Sequence, residues 1–179
     1  MRTRLTALMV AMTCLFFAIQ GRAADEQDAT RKLGALIGRW QSEGTVPETR
    51  FSHADKISSS MECRWSPQGN FLICEQAITT STGKQTQLTV YSYSAMDGNY
   101  TFGTFAGPGA EPGHGTVMIK GNVWTYPSSY LGVDGKKNLI RTTNDFSVPG
   151  TDTFKTEFSD DNGAHWTTTL QGTAHKLEP

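Results

Sequence analysis

The sequence predicts an all-β protein: an antiparallel up-and-down (meander) β-barrel of about ten strands, preceded by a short N-terminal helix. From residue 39 onward, short segments with alternating polar and apolar residues follow one another at a spacing of about 8–12 residues. Turn-forming residues separate them, and 18 glycines with only 18% charged residues fit many tight turns. No helical periodicity follows residue 37, so parallel crossovers are not expected. A twisted sheet of that many strands tends to curl shut, which removes its exposed edges.

The first 23 residues have the features of a secretory signal peptide. Two arginines in the first four residues are followed by the apolar run 5–19, and Gly21 and Ala23 place small residues where signal peptidase cuts. A membrane anchor is the alternative, but the run is shorter than the roughly 20 residues that a span requires. We expect cleavage after Ala23 and a secreted or periplasmic protein without a membrane span. Residues 24–179 would form a single domain.

A short helix over residues 25–37 is predicted to cover one end of the barrel. Its apolar residues Leu33 and Leu36 fall on one face. Gly38 and Trp40 follow at the start of the first strand. A Trp at this position can lay its ring across the barrel opening, and the Gly permits close backbone approach at the corner. A simple core aromatic at a strand start is the alternative.

The strands follow in order, each bounded by a turn signal. Asp97-Gly98 is a strong two-residue hairpin signal, and Pro149-Gly150 and Asp161-Asn162-Gly163 mark further turns. On the last strand, Trp166 and Leu170 are expected on the same face. The predicted strands are residues 39–45, 56–65, 70–80, 85–94, 99–106, 116–120, 123–128, 136–147, 151–159 and 164–176.

Cleavage of the signal would leave two cysteines, Cys63 and Cys74, in an exported and therefore oxidising setting. They flank a turn-rich stretch. If Ser66 pairs with Phe71 around a four-residue loop, the two cysteines stand directly opposite each other on adjacent antiparallel strands. We therefore predict a structural disulfide. The alternative is a reactive pair, although the spacing is not that of a CxxC motif.

The sequence shows no motif of established catalytic or metal chemistry. The four histidines are scattered without metal-site spacing, and there is no Gly-x-Ser-x-Gly elbow, phosphate loop or HExxH. The net charge of −1 gives no reason to expect a nucleic-acid partner. We predict a non-catalytic protein without cofactor or metal, as a monomer or homodimer. An enzyme that uses Arg141, Tyr93 and a histidine from a rim loop is the less favoured alternative.

Aromatic residues are the strongest candidates for a binding site. Barrels of about ten strands are wide enough to leave interior space. A filled interior is an equal alternative, in which the protein is a solid-core interaction module of the cell envelope. The partner expected for an open interior is a small apolar or amphipathic molecule. The predicted ligand-binding residues are Trp40, Trp65, Tyr91, Tyr93, Phe102, Trp124 and Arg141.

The order of these motifs resembles that of a known family. Gly38-Arg39-Trp40 after a short helix, the segment from Tyr93 to Tyr100 and the ending Asp161 to Trp166 are similar to a large bacterial family of secreted lipocalin-like proteins. That family is known mainly as a domain of unknown function and belongs to the calycin-type barrels. The resemblance covers residues 33–176 and implies a cavity for an apolar or amphipathic ligand.

The resemblance also implies two possible residue roles. Lipocalins proper have fewer strands and a basic residue near the end that covers the Gly-x-Trp ring; Arg141 and Lys176 are the candidates here. Related haem-binding barrels use a histidine on a late strand, for which His165 and His175 are the candidates.

Overall fold

The structure is a computed structural model and describes residues 26–107, 111–132 and 135–178. The predicted signal peptide, residues 1–23, lies outside the described residues. Residues 26–32 form an α-helix that continues into the 3-10 helix Leu33–Leu36, and together we call them the N-terminal helix. The strands are β1 (Gly38–Val46), β2 (Asp55–Trp65), β3 (Leu72–Thr80), β4 (Gly83–Ser94), β5 (Asn99–Phe105), β6 (Gly113–Lys120), β7 (Val123–Leu131), β8 (Lys137–Asp145), β9 (Thr151–Ser159) and β10 (Thr167–Lys176).

The ten strands form one closed antiparallel barrel. Each strand pairs with its neighbours in chain order, and β10 returns to pair with β1. None of these described strands is therefore left with an unpaired edge. The predicted fold class, an antiparallel up-and-down barrel of about ten strands with a short N-terminal helix, is confirmed.

The hairpin between β2 and β3 carries the predicted disulfide. The Ser66 N–H donates to the Phe71 carbonyl at 2.8 Å, and this places Cys63 directly opposite Cys74. The two cysteines are bonded, with Cα atoms 4.1 Å apart, and both are buried on the inner face. The short loop fixes the register of the hairpin, so the pairing could be derived from the sequence.

The pleat of each strand divides its residues between an inner and an outer face. On β9, Asp152 is inner and Lys155 is outer. On β10, an irregularity between Thr168 and Leu170 interrupts the alternation. Leu170 lines the interior, whereas Trp166 lies outside the barrel, with the Arg141 guanidinium over its ring. The expectation that these two residues share a face was therefore wrong.

One end of the barrel, which we call the helix end, is closed by the N-terminal helix and by Trp40. Leu33 and Leu36 of the helix are buried. The Trp40 side chain is also buried, and its indole N–H donates to the Leu36 carbonyl at 2.8 Å. Trp40 packs edge-on against Phe146, which in turn packs against Trp124. The helix end is thus a packed core, and space for a ligand lies further along the barrel.

Gly38 and Lys176 complete the cover of the Trp40 ring. Gly38 has φ +107°, a backbone conformation that favours glycine, and a Cβ there would lie 2.9 Å from Lys176 Cε. The Lys176 ammonium lies 5.8 Å from the Trp40 ring centroid, which is within cation–π range. Lys176, rather than Arg141, is the basic residue over this ring.

Candidate ligand-binding cavity

The middle of the barrel contains a cavity of about 400 Å³. This volume falls at the lower end of the range of small-molecule sites, about 300–1,000 Å³. Inner residues of β1–β5 and β7–β10 form its walls, and the N-terminal helix contributes one residue at the helix end. The cavity is lined by Leu36, Trp40, Ser42, Ile57, Ser59, Met61, Gln76, Ile78, Gln87, Tyr91, Phe102, Tyr126, Thr142, Asn144, Asp152, Phe154, Thr156, Leu170 and Ala174.

One wall of the cavity is aromatic. The ring centroids of Tyr91 and Phe102, opposite each other on β4 and β5, are 6.2 Å apart, and the Tyr126 ring lies 5.7 Å from Phe102 and 6.5 Å from Tyr91. These tilted and edge-on arrangements are the preferred geometries of aromatic pairs. Three rings from three strands therefore offer a planar apolar ligand both faces and edges to pack against.

A second wall is a ladder of hydrogen-bonded polar side chains across β1 to β4. The hydroxyls of Ser42 and Ser59 are 2.7 Å apart. The Gln76 amide donates to Ser59 Oγ at 2.9 Å, and the Gln87 amide donates to Gln76 Oε1 at 2.6 Å. Ser42 stands opposite Ser59, and Gln76 stands opposite Gln87. Gln76 reaches Ser59 diagonally, because its direct partner on β2 is Met61. The strand pairing thus assembles the ladder. These polar groups are largely satisfied by one another.

The cavity also holds a buried carboxylate. Asp152 is 6% exposed, and Asn144 donates its amide N–H to Asp152 Oδ2 at 2.5 Å. Asp152 Oδ1 has no hydrogen-bond partner among the described residues. Burial raises the pKa of Asp152 to about 6, although the Asn144 side chain and the Asp145 backbone N–H oppose the shift. At neutral pH the cavity therefore contains a mostly ionised, half-satisfied anion.

Burial also changes the acidity of the two cavity tyrosines. It raises the pKa of Tyr91, and a hydrogen bond from the Tyr126 hydroxyl partly offsets the effect. The pKa of Tyr126 is raised further, because burial, the nearby Tyr91 and the charge of Asp152 all disfavour its ionised form. Both hydroxyls therefore remain neutral, and neither balances the Asp152 charge.

The structure brings together only some of the predicted ligand-binding residues. Trp40, Tyr91 and Phe102 line the cavity. The other three aromatics pack in the core toward the helix end: Trp124 is buried, Trp65 packs against the buried cluster, and Tyr93 lies with its ring centroid 5.0 Å from that of Tyr100.

Arg141 lies on the outer face of the barrel. Its Nε donates to Glu157 Oε2 at 2.7 Å, and its guanidinium stacks over Trp166 at 4.0 Å from the ring centroid. Lys155 pairs with the other oxygen of Glu157 at 2.9 Å. A wide, open groove runs along this outer face, but these charges are already paired with one another. The interior, where a carboxylate oxygen has no described partner, is the stronger candidate site.

Sequence reasoning missed the most polar part of the cavity, which is formed by Asp152, Asn144, Tyr126 and the two glutamines. A signal for Asp152 was present: it has the same strand parity as Phe154, whereas Lys155 and Glu157 have the opposite parity. A charged residue on the apolar face of a strand is uncommon and marks a special environment.

The described residues contain no group of three His, Cys, Asp or Glu side chains that could hold a metal ion. Neither His165, which contacts Asp161 at 2.6 Å, nor His175 lines the cavity. Within the same residues, no helix is long and apolar enough to cross a membrane. The absence of a cofactor and the oligomeric state stay predictions.

The structure resembles two solved proteins of very different sequence. Rv2717c from M. tuberculosis superposes with a TM-score of 0.56 at 14% identity, covering 84% of this chain and 98% of that one. The S-type phycobiliprotein lyase CPES from Guillardia theta superposes with a TM-score of 0.57 at 10% identity, covering 84% and 93%. No known family matches the sequence, and no curated protein does. At such low identity these likenesses establish the fold alone: the chain is a lipocalin- or calycin-like ten-strand barrel.

Proposed function

We propose that this protein is a non-catalytic carrier that binds a small apolar or amphipathic molecule inside its barrel. The observation that carries the proposal is the cavity of about 400 Å³, with aromatic rings on one side and polar groups on the other. Such a mixture of apolar walls and a few placed polar groups is typical of small-molecule sites. The open middle of the barrel also argues against a solid-core interaction module.

We further propose that the protein is exported and belongs to the bacterial lipocalin-like family that its motifs resemble. The buried Trp40, capped by Lys176 and approached closely at Gly38, supports the family assignment. The Cys63–Cys74 disulfide supports an oxidising compartment. Mass spectrometry of the mature protein recovered from the periplasm or medium tests the export proposal. A chain that retains residues 1–23 would contradict it.

Binding inside the barrel can be tested with prodan, a neutral naphthalene dye whose emission shifts to shorter wavelength in apolar surroundings. Wild-type protein should shift and enhance the dye emission. Thr156→Phe places a ring in the cavity and should abolish the effect, because Thr156 lines the cavity from β9. Thr153→Phe is the matched control on the outer face of the same strand and should leave binding unchanged. Equal dye binding by wild type and Thr156→Phe would show that the dye does not enter the cavity.

A further inference from the structure

The charged residues that line the cavity determine which class of ligand it favours. Asp152 is the one charged residue of the described lining, which includes no Lys, Arg or His. Glu157 on the same strand is almost equally buried, at 7% against 6% exposed, but pairs with Arg141 and Lys155 on the outer face. The inner carboxylate thus lacks the cations that its outer counterpart has. A buried, ionised carboxylate without a cation is unfavourable unless a donor from outside the chain completes it.

Asp152 is also the polar group of the cavity most in need of a partner. Asn144 satisfies only Oδ2 and is itself neutral. The serines and glutamines of the polar ladder bond to one another, and the hydroxyls of Thr142 and Thr156 lie 2.9 Å apart. Oδ1 of Asp152 accepts no hydrogen bond from the described residues. A ligand with a strong N–H donor would therefore find its anchor at this oxygen.

The surroundings of the carboxylate favour a cation attached to a flat apolar group. Asp152, Tyr91 and Tyr126 line the same cavity, so the carboxylate and the two tyrosine rings face one shared space. Together with Phe102, these rings supply faces for stacking and for cation–π contact with an ammonium. An anionic head group would meet the Asp152 charge in the same cavity and would be repelled.

We infer that the cavity is a site for small aromatic amines, whose protonated nitrogen donates to Asp152 Oδ1 while the ring packs against Tyr91, Phe102 and Tyr126. This inference rests on the proposed function, since it names the class of ligand for the same cavity. It implies that fatty acids and other carboxylates are poor ligands of this cavity.

Three indole compounds that differ mainly in their side-chain end group test this inference by isothermal titration calorimetry at neutral pH. Tryptamine carries an ammonium, tryptophol a neutral hydroxyl and indole-3-propionate a carboxylate. We expect tryptamine to bind about tenfold or more tightly than tryptophol, the factor typical of one charge-assisted hydrogen bond. Indole-3-propionate should bind more weakly than tryptophol.

Two variants assign the preference to one side chain. Asp152→Asn keeps the shape of the group but removes its charge, and should weaken tryptamine binding about tenfold or more while leaving tryptophol binding unchanged. Glu157→Gln removes a carboxylate of similar burial on the outer face of the same strand, and should leave all three affinities unchanged.

The outcomes separate the inference from the proposed function. If prodan binds in the cavity but tryptamine binds no more tightly than tryptophol, the carrier proposal stands and the amine inference is overturned. Unchanged tryptamine affinity in Asp152→Asn overturns it as well. If neither prodan nor any of the three indoles binds, both proposals fall. The wild-type selectivity alone decides the question even if a variant does not fold.

Discussion

Two carboxylates on β9 show how strongly the environment of a single residue determines its role. Burial pushes the pKa of Glu157 upward, but hydrogen bonds from Arg141 and Lys155 outweigh it and leave the pKa below its usual value. Asp152 is buried to the same extent, has the neutral Asn144 as its side-chain partner, and its pKa rises. The outer carboxylate is stabilised by its ion pairs, whereas the inner one destabilises the unliganded barrel at neutral pH.

The raised pKa of Asp152 predicts an unusual dependence of stability on pH. The folded state binds the Asp152 proton up to a pKa of about 6, and the unfolded state only up to about 4. This group therefore stabilises the fold below about pH 4, and the contribution is lost as the pH rises to about 6. Asp152→Asn should remove the loss and raise the free energy of unfolding at neutral pH by an amount on the order of 3 kcal/mol.

Urea denaturation of wild type and Asp152→Asn across this pH range measures the effect. The difference between the two proteins isolates Asp152 from exposed carboxylates with lowered pKa values, such as Glu48 and Asp161, which act in the opposite direction. The difference should grow as the pH rises. A difference that is the same at every pH would refute the assignment.

Trp40 is the residue on which closure of the helix end depends. Trp40→Ala removes a buried ring, its hydrogen bond to the Leu36 carbonyl and its contact with Phe146. We expect the free energy of unfolding to fall by about 3–5 kcal/mol, as for other large aromatics truncated in cores. Trp166→Ala, on the outer face, should cause a much smaller loss. Equal losses in the two variants, measured by thermal and urea unfolding, would contradict this role for Trp40.

At the scale of the strands, the seam between β1 and β10 depends on two opposed glycines. Gly44 pairs with Gly172, and the Phe154 ring packs against both. A Cβ at Gly172 would lie 2.5 Å from Phe154 Cζ and 2.7 Å from Gly44 Cα, and nearer still to the Glu43 carbonyl oxygen. The two strands can pass this close, and Phe154 can occupy its place at the cavity wall, only because neither residue has a side chain.

Gly172→Ala should therefore destabilise the barrel more than an ordinary glycine substitution in a strand. We expect a loss of about 1–3 kcal/mol or more in the free energy of unfolding, because the backbone contact cannot relax like a side chain. Gly103→Ala is the matched control, since a Cβ on that β5 glycine would approach the Gly113 carbonyl oxygen only to 4.0 Å. Equal stability of the two variants would show that the seam adapts.

The limits of prediction from the sequence are also clearest at the scale of the strands. The β2–β3 register could be derived because a short loop fixes it, and the disulfide followed. The faces on which Trp166 and Leu170 lie could not be derived from the sequence. The irregularity in β10 depends on its pairing with β9 and has no signal in the local sequence. Arg141 was predicted to line the interior, but it lies on the outer face, where it contacts Glu157 and Trp166.

At the scale of the molecule, closure joins strands from opposite ends of the chain. β1 and β10 pair from Trp40 opposite Lys176 to Thr45 opposite Gln171. The sequence predicts that the sheet curls shut, but not the register of this seam, because no short turn connects the two strands. The cavity depends on the seam: Ser42 on β1 stands opposite Ala174 on β10, and both line it.

Closure predicts that the seam is as stable as the rest of the barrel. Native-state hydrogen exchange should show the hydrogen-bonded amides of β1 and β10 exchanging about as slowly as those of the β2–β3 pair, which the disulfide ties together. In a closed barrel neither strand is an edge, so neither can fray without breaking a ladder on its other side. Exchange of the seam amides that is orders of magnitude faster would mean a sheet that opens there. Prodan bound in the cavity should slow seam exchange further, because residues on both sides of the seam line the cavity and a ligand that binds only the closed state stabilises that state.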